Sequence, residues 1–471
     1  MTEPYLLTAS EAGALMKKGD LTVENYAKSL LSRIQKRDAQ VKAWAYLDPP
    51  FVLEQARNLD QIPAEKRGPL HGIAIGVKDV ILTKDMPTKL NSPIYASSTP
   101  STIDAAPIIT LRAAGALILG KTTTTEFAAV TTGPCTTNPH DRTRTPGGSS
   151  SGSGAAVADF QVPIALGTQT GGSTIRPGSF NGIFAWKPTW GAVSREGLAQ
   201  YSVTCDTVGF YARTVGDLEM LGRVLRVEDD EGVPERGGGG LRFVGRMFGG
   251  RREGGVEDDE GVPERGFEIQ GRRIAFCRTH VWGKAGGGTR SAWEGAKRML
   301  VSRGAEVEEI ELPSGFERVS GWHADVLAGE GRTSFLGNYL LAKEKMHPML
   351  HGHVNNTTKL TRKAQLEAYD GCARLRPVWD DLASKYDAVL TPSVVDEAPV
   401  GTESTGDASF CSIWTILHVP CLNIPGFEGQ NGMPIGLTLV GPRYTDEHVL
   451  WAGKAIGEVF REEGGWRSKV V

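Results

Sequence analysis

The stretch that decides the fold spans residues 146–191 and reads PGGSSSGSGAAVADFQVPIALGTQTGGSTIRPGSFNGIFAWKPTWG. It holds two clusters of glycine and serine, at 147–154 and 171–173, and a small helical segment and the apolar run 162–166 separate them. Because glycine tolerates a positive φ, each cluster can bring backbone close to a ligand. A flexible linker would not flank an apolar strand. We therefore predict two ligand-facing turns joined by a buried helix and strand.

The second cluster favours chemistry on negative charge. Gly171, Gly172 and Ser173 directly follow the predicted strand, so consecutive amides of residues 170–173 could converge as a nest for an anion. A serine in such a nest, followed by Arg176, fits either anion binding or acyl transfer with an oxyanion hole. The residues by themselves leave both interpretations open.

The whole stretch resembles the amidase signature family of serine hydrolases. The family pattern is GGSSGG, a strand, GTDTGGS, an arginine, a proline and later KPTxG. Further matches are LHGIAIGVKD at 70–79, GKTTTTEF at 120–127, S-x-x-x-D-x-x-G-x-x-A-R at 202–213, LTP at 390–392 and PIGLTLVGP at 434–442. The resemblance covers everything except residues 227–266. It implies an α/β fold, a single α/β/α domain with a large mixed, mostly parallel central sheet.

The resemblance also implies a Ser–cis-Ser–Lys triad. Ser173 matches the nucleophile, Ser149 the bridging serine held by a cis peptide, and Lys78 the base, while Ser150 resembles a supporting serine. A lysine can act as a base only if burial lowers its pKa. Lys78 ends an apolar strand, where such burial is expected. The alternative is a surface lysine paired with Asp79.

The backbone amides expected to form the oxyanion hole are those of Thr170, Gly171, Gly172 and Ser173. The sequence departs from the family pattern at two points near these residues. Gln169 replaces the usual aspartate, and two residues rather than one separate Ser173 from Arg176. The malonamidase-like subgroup shares both features, and its arginine grips a substrate carboxylate, a task that suits a guanidinium. Arg176 is therefore expected to bind an acidic amide, or else to be a structural arginine bonded to backbone carbonyls.

The implied activity is hydrolysis of a small carboxamide through an acyl-enzyme on Ser173, with Ser149 relaying protons to Lys78 and no cofactor or metal. A small-molecule amide is then the expected partner. The A subunit of a glutamyl-tRNA amidotransferase shares the triad but passes ammonia to a partner, and the missing aspartate counts modestly against it. A catalytically inactive scaffold or binding protein is a third alternative, against which the intact triad argues.

Three other patterns mislead. GALILGKT at 115–122 fits the phosphate-loop spacing, but ALIL itself reads as a strand and a helix precedes it. GSSSG at 148–152 fits the nucleophile elbow of α/β-hydrolases, but no strand-like run precedes it. His347, His351 and His353 have no acidic or cysteine partner at metal-ligand spacing, so we predict surface or structural histidines.

Composition limits the remaining choices. The chain has 471 residues, 52 basic and 55 acidic, and 40% hydrophobic, which allows a substantial core and excludes collagen, coiled coil and general disorder. Because basic and acidic residues nearly balance, the chain has no overall positive charge to attract nucleic acid or an anionic membrane. No apolar run approaches the ~18 residues that a membrane-spanning helix needs. Six scattered cysteines without a Cys-x-x-Cys, and an N-terminus unlike a signal peptide, predict a cytoplasmic protein with reduced thiols. An unpaired sheet edge or an apolar patch could support a homodimer.

Residues 227–237 recur, identical over eleven residues, at 256–266. Both copies are polar and a Gly/Arg-rich stretch joins them, so we predict a duplicated low-complexity loop at 227–266 rather than a repeat array. A basic segment binding nucleic acid is the alternative, although Phe243 and Phe248 are its only aromatics. The predicted organisation is an N-terminal helical region packing on the core at 1–65, a catalytic core at 66–226, this insertion, and the rest of the domain at 267–471.

Alternating patterns along the chain support the α/β class. Val23, Tyr26, Leu30 and Ile34 share one helical face after a capping Thr22. Strand and helix signals then alternate. Strands are predicted at 72–77, 116–119, 162–166, 387–390 and 435–440, and helices at 104–114, 155–160 and 445–461.

Overall fold

The computed structural model describes residues 3–225, 227 and 267–470. Apart from Val227, the predicted insertion lies outside the described residues. The described chain alternates strands and helices. The strands are β1 Trp44–Tyr46, β2 Ala74–Lys78, β3 Leu117–Thr122, β4 Ile164–Gln169, β5 Phe184–Lys187, β6 Thr207–Ala212, β7 Arg273–Arg278, β8 Glu306–Glu311, β9 Ala388–Pro392, β10 Cys421–Glu428 and β11 Pro434–Val440.

The described α-helices begin near the N-terminus and recur between strands. They are α1 Ala9–Lys18, α2 Val23–Val41, α3 Pro49–Asp60, α4 Ala106–Ala113, α5 Ser151–Ala158, α6 Ile175–Asn181, α7 Val215–Leu225, α8 Gly287–Ser302, α9 Val319–Ser334, α10 Leu336–Ala342, α11 Pro348–Val354, α12 Arg362–Ala383, α13 Ser409–Ile416 and α14 Asp446–Glu462.

All eleven described strands form one sheet in the order β1-β3-β2-β4-β6-β5-β10-β11-β9-β7-β8. The predicted single α/β domain with a large mixed sheet is confirmed. Its parallel pairings are not the majority, however, because six of the ten described pairings are antiparallel. The four parallel pairings form two blocks, β3-β2-β4 and β9-β7-β8. Tight connections such as the one between β10 and β11 force antiparallel neighbours, and the motifs carry no information on strand direction.

Helices cover both faces of the sheet. In β4, Ile164 and Leu166 pack into the large cluster that also takes side chains from α4, α7, α8 and α14. Ala165 points to the opposite face and joins a cluster with side chains of α2 and α5. This alternation follows from the two-residue period of a strand. β4 is therefore buried on both sides.

The element predictions agree with the structure where they matter for the site. Helix α2 begins after Thr22, whose side chain accepts the Asn25 N–H, and it buries Tyr26, Leu30 and Ile34 as predicted. Strands β2 and β4 lie side by side and parallel, with Val77 opposite Leu166. Because parallel strands end at the same edge of a sheet, Lys78 and the loop after Gln169 meet there.

Candidate active site

Lys78, the last residue of β2, lies at the centre of the site and is fully buried. Its Nζ donates to Ser149 Oγ at 2.9 Å and to Thr168 Oγ1 at 2.7 Å. Burial lowers the pKa of Lys78 to about 7, and the negative charge of Asp206 opposes this shift. The alternative partner Asp79 lies against the buried Lys121 instead, at 3.4 Å. A large fraction of Lys78 is therefore neutral near pH 7.

Ser149 and Ser150 connect Lys78 to the glycine-rich turn before α5. The Gly148–Ser149 peptide is cis, as the resemblance implies. The Ser150 hydroxyl donates to the Thr168 carbonyl and accepts the Thr168 N–H, both at 3.2 Å. Ser150 thus fixes Thr168, whose hydroxyl receives the Lys78 amine, and it fits the supporting role expected of it.

The loop at 170–173 leaves β4 and carries Ser173, of which 7% is exposed. Among the described residues the Ser173 hydroxyl has no hydrogen-bond partner, so the structure links Lys78 to Ser149 by a hydrogen bond but does not link Ser149 to Ser173. Side chains from three other elements donate to carbonyls of this loop: His323 to Thr170 at 2.9 Å, Thr415 to Gly171 at 2.7 Å and Tyr211 to Ser173 at 2.9 Å.

Gln169, the last residue of β4, holds the end of the same loop by hydrogen bonds. Its Oε1 accepts the N–H groups of Thr174 at 2.8 Å and Ile175 at 3.0 Å, at the start of α6. Its Nε2 donates to Thr415 Oγ1 at 3.0 Å. An amide oxygen therefore accepts both backbone donors here, and the amide nitrogen adds a bond that a carboxylate could not donate.

Gly172 is required by a close approach. A Cβ at this position would lie 3.0 Å from the Cβ atoms of Ala408 and Cys411, at the start of α13. Any larger residue would push the loop and α13 apart. The second glycine of the TGGS motif therefore lets the backbone of the loop lie against α13.

Arg176 lies on α6 with only 5% of its surface exposed. Its Nη2 donates to the Gly148 carbonyl at 2.6 Å and to Thr405 Oγ1 at 3.1 Å. Its Nη1 donates to the Gly406 carbonyl at 2.6 Å. Burial lowers the pKa of Arg176. These bonds correspond to the structural alternative for this arginine, and they hold the turn that contains the cis peptide.

A small cavity adjoins the site. Its walls come from four segments: Phe127, Ala128, Thr168, Thr170, Arg195, Leu198, Ala199, Gln200, Tyr201 and Asp206. The wall at 195–201 was not predicted from the sequence, since nothing in its composition marks it.

Asp206 is a second group that sequence reasoning did not single out, although the S-x-x-x-D motif contains it. Its carboxylate accepts from Thr170 Oγ1 at 2.6 Å, from the Tyr201 N–H at 2.8 Å and from the Ser202 N–H at 3.0 Å. Burial raises the pKa of Asp206 to about 6. It joins the nucleophile loop to the cavity wall.

The position of Lys121 argues against the phosphate-loop match. Lys121, the lysine of the phosphate-loop match, lies inside β3 and donates to the Ile81 carbonyl at 2.8 Å. Among the described residues, no group of three His, Cys, Asp or Glu side chains is placed to hold a metal ion. Within the same residues, no helix has the length and apolar character needed to cross a membrane.

Comparison with known proteins identifies the family of this chain. The sequence profile of the family described as Amidase matches residues 25–450, and the chain belongs to that family. The A subunit of the glutamyl-tRNA(Gln) amidotransferase of Chloroflexus aggregans is 30% identical over 100% of this chain and 99% of its own. The corresponding protein of Symbiobacterium thermophilum is 31% identical over 98% of this chain and 100% of its own.

Solved structures share the fold over nearly their whole length. A structure described as an amidase is 27% identical, with a TM-score of 0.79, covering 96% of this chain and 99% of that one. The peptide amidase from Stenotrophomonas maltophilia is 25% identical, with a TM-score of 0.78 and 99% coverage of both chains. The chain is therefore an amidase signature enzyme with the hydrolase fold of that family.

Proposed function

We propose that this protein hydrolyses the C–N bond of a small carboxamide through an acyl-enzyme on Ser173. One observation carries the proposal. A fully buried lysine, with its pKa lowered to about 7, lies 2.9 Å from Ser149, beside the loop that presents Ser173. A serine hydroxyl becomes a useful nucleophile when a base stands ready to take its proton.

The proposed reaction has two halves. Ser173 Oγ attacks the amide carbon while its proton passes through Ser149 to the neutral Lys78. The same route returns a proton to the leaving nitrogen, so ammonia or an amine departs and the acyl-enzyme remains. Water then attacks the ester by the reverse proton path and releases the carboxylic acid.

The developing oxyanion would be stabilised by backbone N–H groups of Thr170, Gly171, Gly172 and Ser173. A well-aimed donor of this kind contributes about 3 kcal/mol of transition-state stabilisation. The loop needs no metal or cofactor for this role. Two roles are considered for Arg176. One is a malonamidase-like preference for acidic amides. The other is a structural role, which the three hydrogen bonds of its guanidinium favour.

A second candidate has its own support. Curated relatives that span essentially the full chain at about 30% identity are A subunits of a glutamyl-tRNA(Gln) amidotransferase. We propose, as this second candidate, that the chain releases ammonia from an amide for use by a partner protein. The acyl-enzyme half-reaction is the same for both candidates. They differ in the fate of ammonia and in the need for a partner.

A fluorophosphonate probe tests the shared chemistry. We expect an adduct on Ser173, located by peptide mass spectrometry, that disappears in Ser173→Ala and Lys78→Ala. An adduct on Ser150 would overturn the assignment of the nucleophile. Absence of any adduct on folded protein would favour the inactive scaffold.

A panel of neutral and acidic primary amides, including glutamine, then separates the two candidates. Ammonia release by the purified protein alone supports the stand-alone amidase. Ammonia release that requires partner proteins supports the amidotransferase.

A further inference from the structure

We infer that His323 and Thr415 are positioning residues that aim two backbone N–H donors of the oxyanion hole. His323 fixes the peptide between Thr170 and Gly171, and Thr415 fixes the peptide between Gly171 and Gly172. The inference rests on the proposed function, because it gives these two residues a role in the same active site.

Peptide geometry links each carbonyl of the loop to the N–H that follows it. In a trans peptide the carbonyl of one residue and the N–H of the next point in opposite directions in one plane. The Gly148–Ser149 peptide is the one cis peptide among the described residues, so those of the nucleophile loop are trans. A donor held on the Thr170 carbonyl therefore sets the direction of the Gly171 N–H, and a donor on the Gly171 carbonyl sets that of Gly172.

The two donors come from distant parts of the chain. His323 Nε2, on α9, lies 2.9 Å from the Thr170 carbonyl oxygen. Thr415 Oγ1, on α13, lies 2.7 Å from the Gly171 carbonyl oxygen. The Gly172 carbonyl accepts the Arg176 N–H at 3.0 Å within the backbone. Each of these three peptide planes thus has its own anchor.

The N–H sides of these peptides are open. The N–H groups of Gly171, Gly172 and Ser173 have no acceptor within residues 3–225, 227 and 267–470. Unpaired N–H groups in a buried loop are costly unless a ligand completes them. Carbonyl anchoring on one side and free donors on the other is the arrangement that a preorganised oxyanion hole requires.

The protonation of both anchors is settled by their partners. Burial lowers the pKa of His323, so its ring is neutral, and because a carbonyl only accepts, its proton lies on Nε2. Thr415 Oγ1 accepts from Gln169 Nε2 at 3.0 Å, and its single proton has two carbonyl acceptors, Gly171 at 2.7 Å and Cys411 at 3.3 Å, of which the nearer forms the stronger bond. Both side chains therefore act as hydrogen-bond donors to the loop.

The test compares variants that remove an anchoring donor with variants that keep one, and Thr415→Val also removes the acceptor of Gln169 Nε2. Thr415→Val removes the hydroxyl at constant shape, and Thr415→Ser keeps it. His323→Phe removes the Nε2 donor, and His323→Gln places an amide N–H near the same point. Thr289→Val is the matched control, since Thr289, on α8, is also buried and donates to the Val394 carbonyl at 3.1 Å.

Two readouts are needed. The first is amide hydrogen exchange of the peptide that contains residues 170–175, which reports loop order without any activity. The second is kcat and KM for the best amide of the panel, with the rate of fluorophosphonate labelling of Ser173. We expect Thr415→Val and His323→Phe to exchange faster and to lose about tenfold to a hundredfold in kcat at nearly constant KM. Thr415→Ser and His323→Gln should recover most of both, and Thr289→Val should change neither.

The outcomes separate the two claims. If wild-type Ser173 labels normally and Thr415→Val keeps its kcat, the positioning role is wrong while the proposed function stands. If exchange is unchanged in both donor-removing variants, the anchoring itself is wrong. If wild-type Ser173 never labels, the proposed function fails, and the role of both residues in an oxyanion hole fails with it.

Discussion

A buried amine is the most informative single residue of this protein. Lys78 has no exposed surface, and its Nζ is held by two hydroxyl oxygens, those of Ser149 and Thr168, instead of by a carboxylate. Burying a charge without an ion-pair partner costs far more than burying the neutral amine, so the fold selects the uncharged form. The burial that makes Lys78 a base therefore also lowers the free energy of unfolding.

The pH dependence of activity follows from Lys78. Its pKa is about 7 in the folded chain, and the neutral amine is the proposed base. We expect kcat/KM to rise with pH through a limb near pH 7 and then to level. A profile without this limb, measured with the best amide of the panel in buffers of constant ionic strength, would contradict Lys78 as the base.

The same shift predicts a pH dependence of stability. The ordinary pKa of 10.5 falls to about 7 on folding, so the unfolded chain binds more protons between those values. Stability therefore rises with pH across this window. Lys78→Met should flatten this rise and increase the free energy of unfolding at pH 7 while abolishing activity. Urea unfolding at pH 7 and pH 9 measures the free energy of unfolding of both proteins. If that free energy rises between the two pH values as much in Lys78→Met as in the wild type, Lys78 is not the group with the lowered pKa.

Arg176 gives a prediction about substrate choice. If it binds a substrate carboxylate, Arg176→Lys lowers kcat/KM for acidic amides much more than for neutral ones, because bidentate pairing is lost. If it is structural, as its bonds to Gly148 and Gly406 favour, both amide classes lose activity equally. Parallel kinetics on one acidic and one neutral amide of similar size distinguish the two.

The sequence motifs predict residues that lie in them and no others. Lys78, Ser149, Ser150 and Ser173 all stand in recognisable runs. His323 and Thr415 do not, because their contacts to the loop join positions 153 and 244 apart in the chain. Such long-range partners are set by how helices pack, which a local pattern cannot describe.

At the scale of elements, the junction between β4 and α6 depends on one side chain. The Gln169 amide oxygen holds the first N–H groups of the helix, and its nitrogen reaches α13 through Thr415. Helix starts leave N–H groups without intrahelical partners, and here these groups are buried. Gln169 thus joins a strand and two helices at the position of the nucleophile.

Gln169→Leu should therefore be costly. Each buried donor left without a partner costs about 1–3 kcal/mol, so the loss of the acceptor for the Thr174 and Ile175 N–H groups should lower the free energy of unfolding by roughly 2–6 kcal/mol. Gln169→Glu keeps both acceptor bonds and should lose much less. Equal losses for the two variants in urea unfolding would show that the acceptor bonds do not stabilise this junction.

Element types were predictable and their directions were not. The helical face of α2 and the apolar runs of β2, β4 and β11 follow from periodicity, and the structure places these elements within a few residues of the predictions. Strand direction depends on the tertiary path of each connection. That is why the antiparallel majority of the described pairings could not be anticipated.

At the scale of the whole molecule, the described chain is anchored on both sides of the duplicated segment. Helix α7 ends at Leu225, and the Val227 N–H bonds back to the Gly222 carbonyl at 3.2 Å. On the other side, the Phe267 ring packs edge-on against His448. Both flanks of the segment are thus attached to the folded domain by their own contacts.

Removing the second copy tests whether the duplication matters. A chain lacking residues 238–266 joins one complete copy directly to Phe267. We expect its solubility to rise, its melting temperature to stay within a few degrees, and its activity to be at least equal. Lower activity in this variant than in the full chain would show that the insertion contributes to function.

The long reach of Thr415 has a consequence for synthesis. A nascent chain carries Lys78, Ser149 and Ser173 well before residue 415 is translated, and the Gly171 carbonyl has no anchor until then. On our proposal, a polypeptide that ends before residue 415 holds Lys78, Ser149 and Ser173 but lacks one anchor of the oxyanion hole, so we expect it to be less active than the full chain. The order of translation thus places the completion of the oxyanion hole in the last eighth of the chain, long after the reactive side chains have been made.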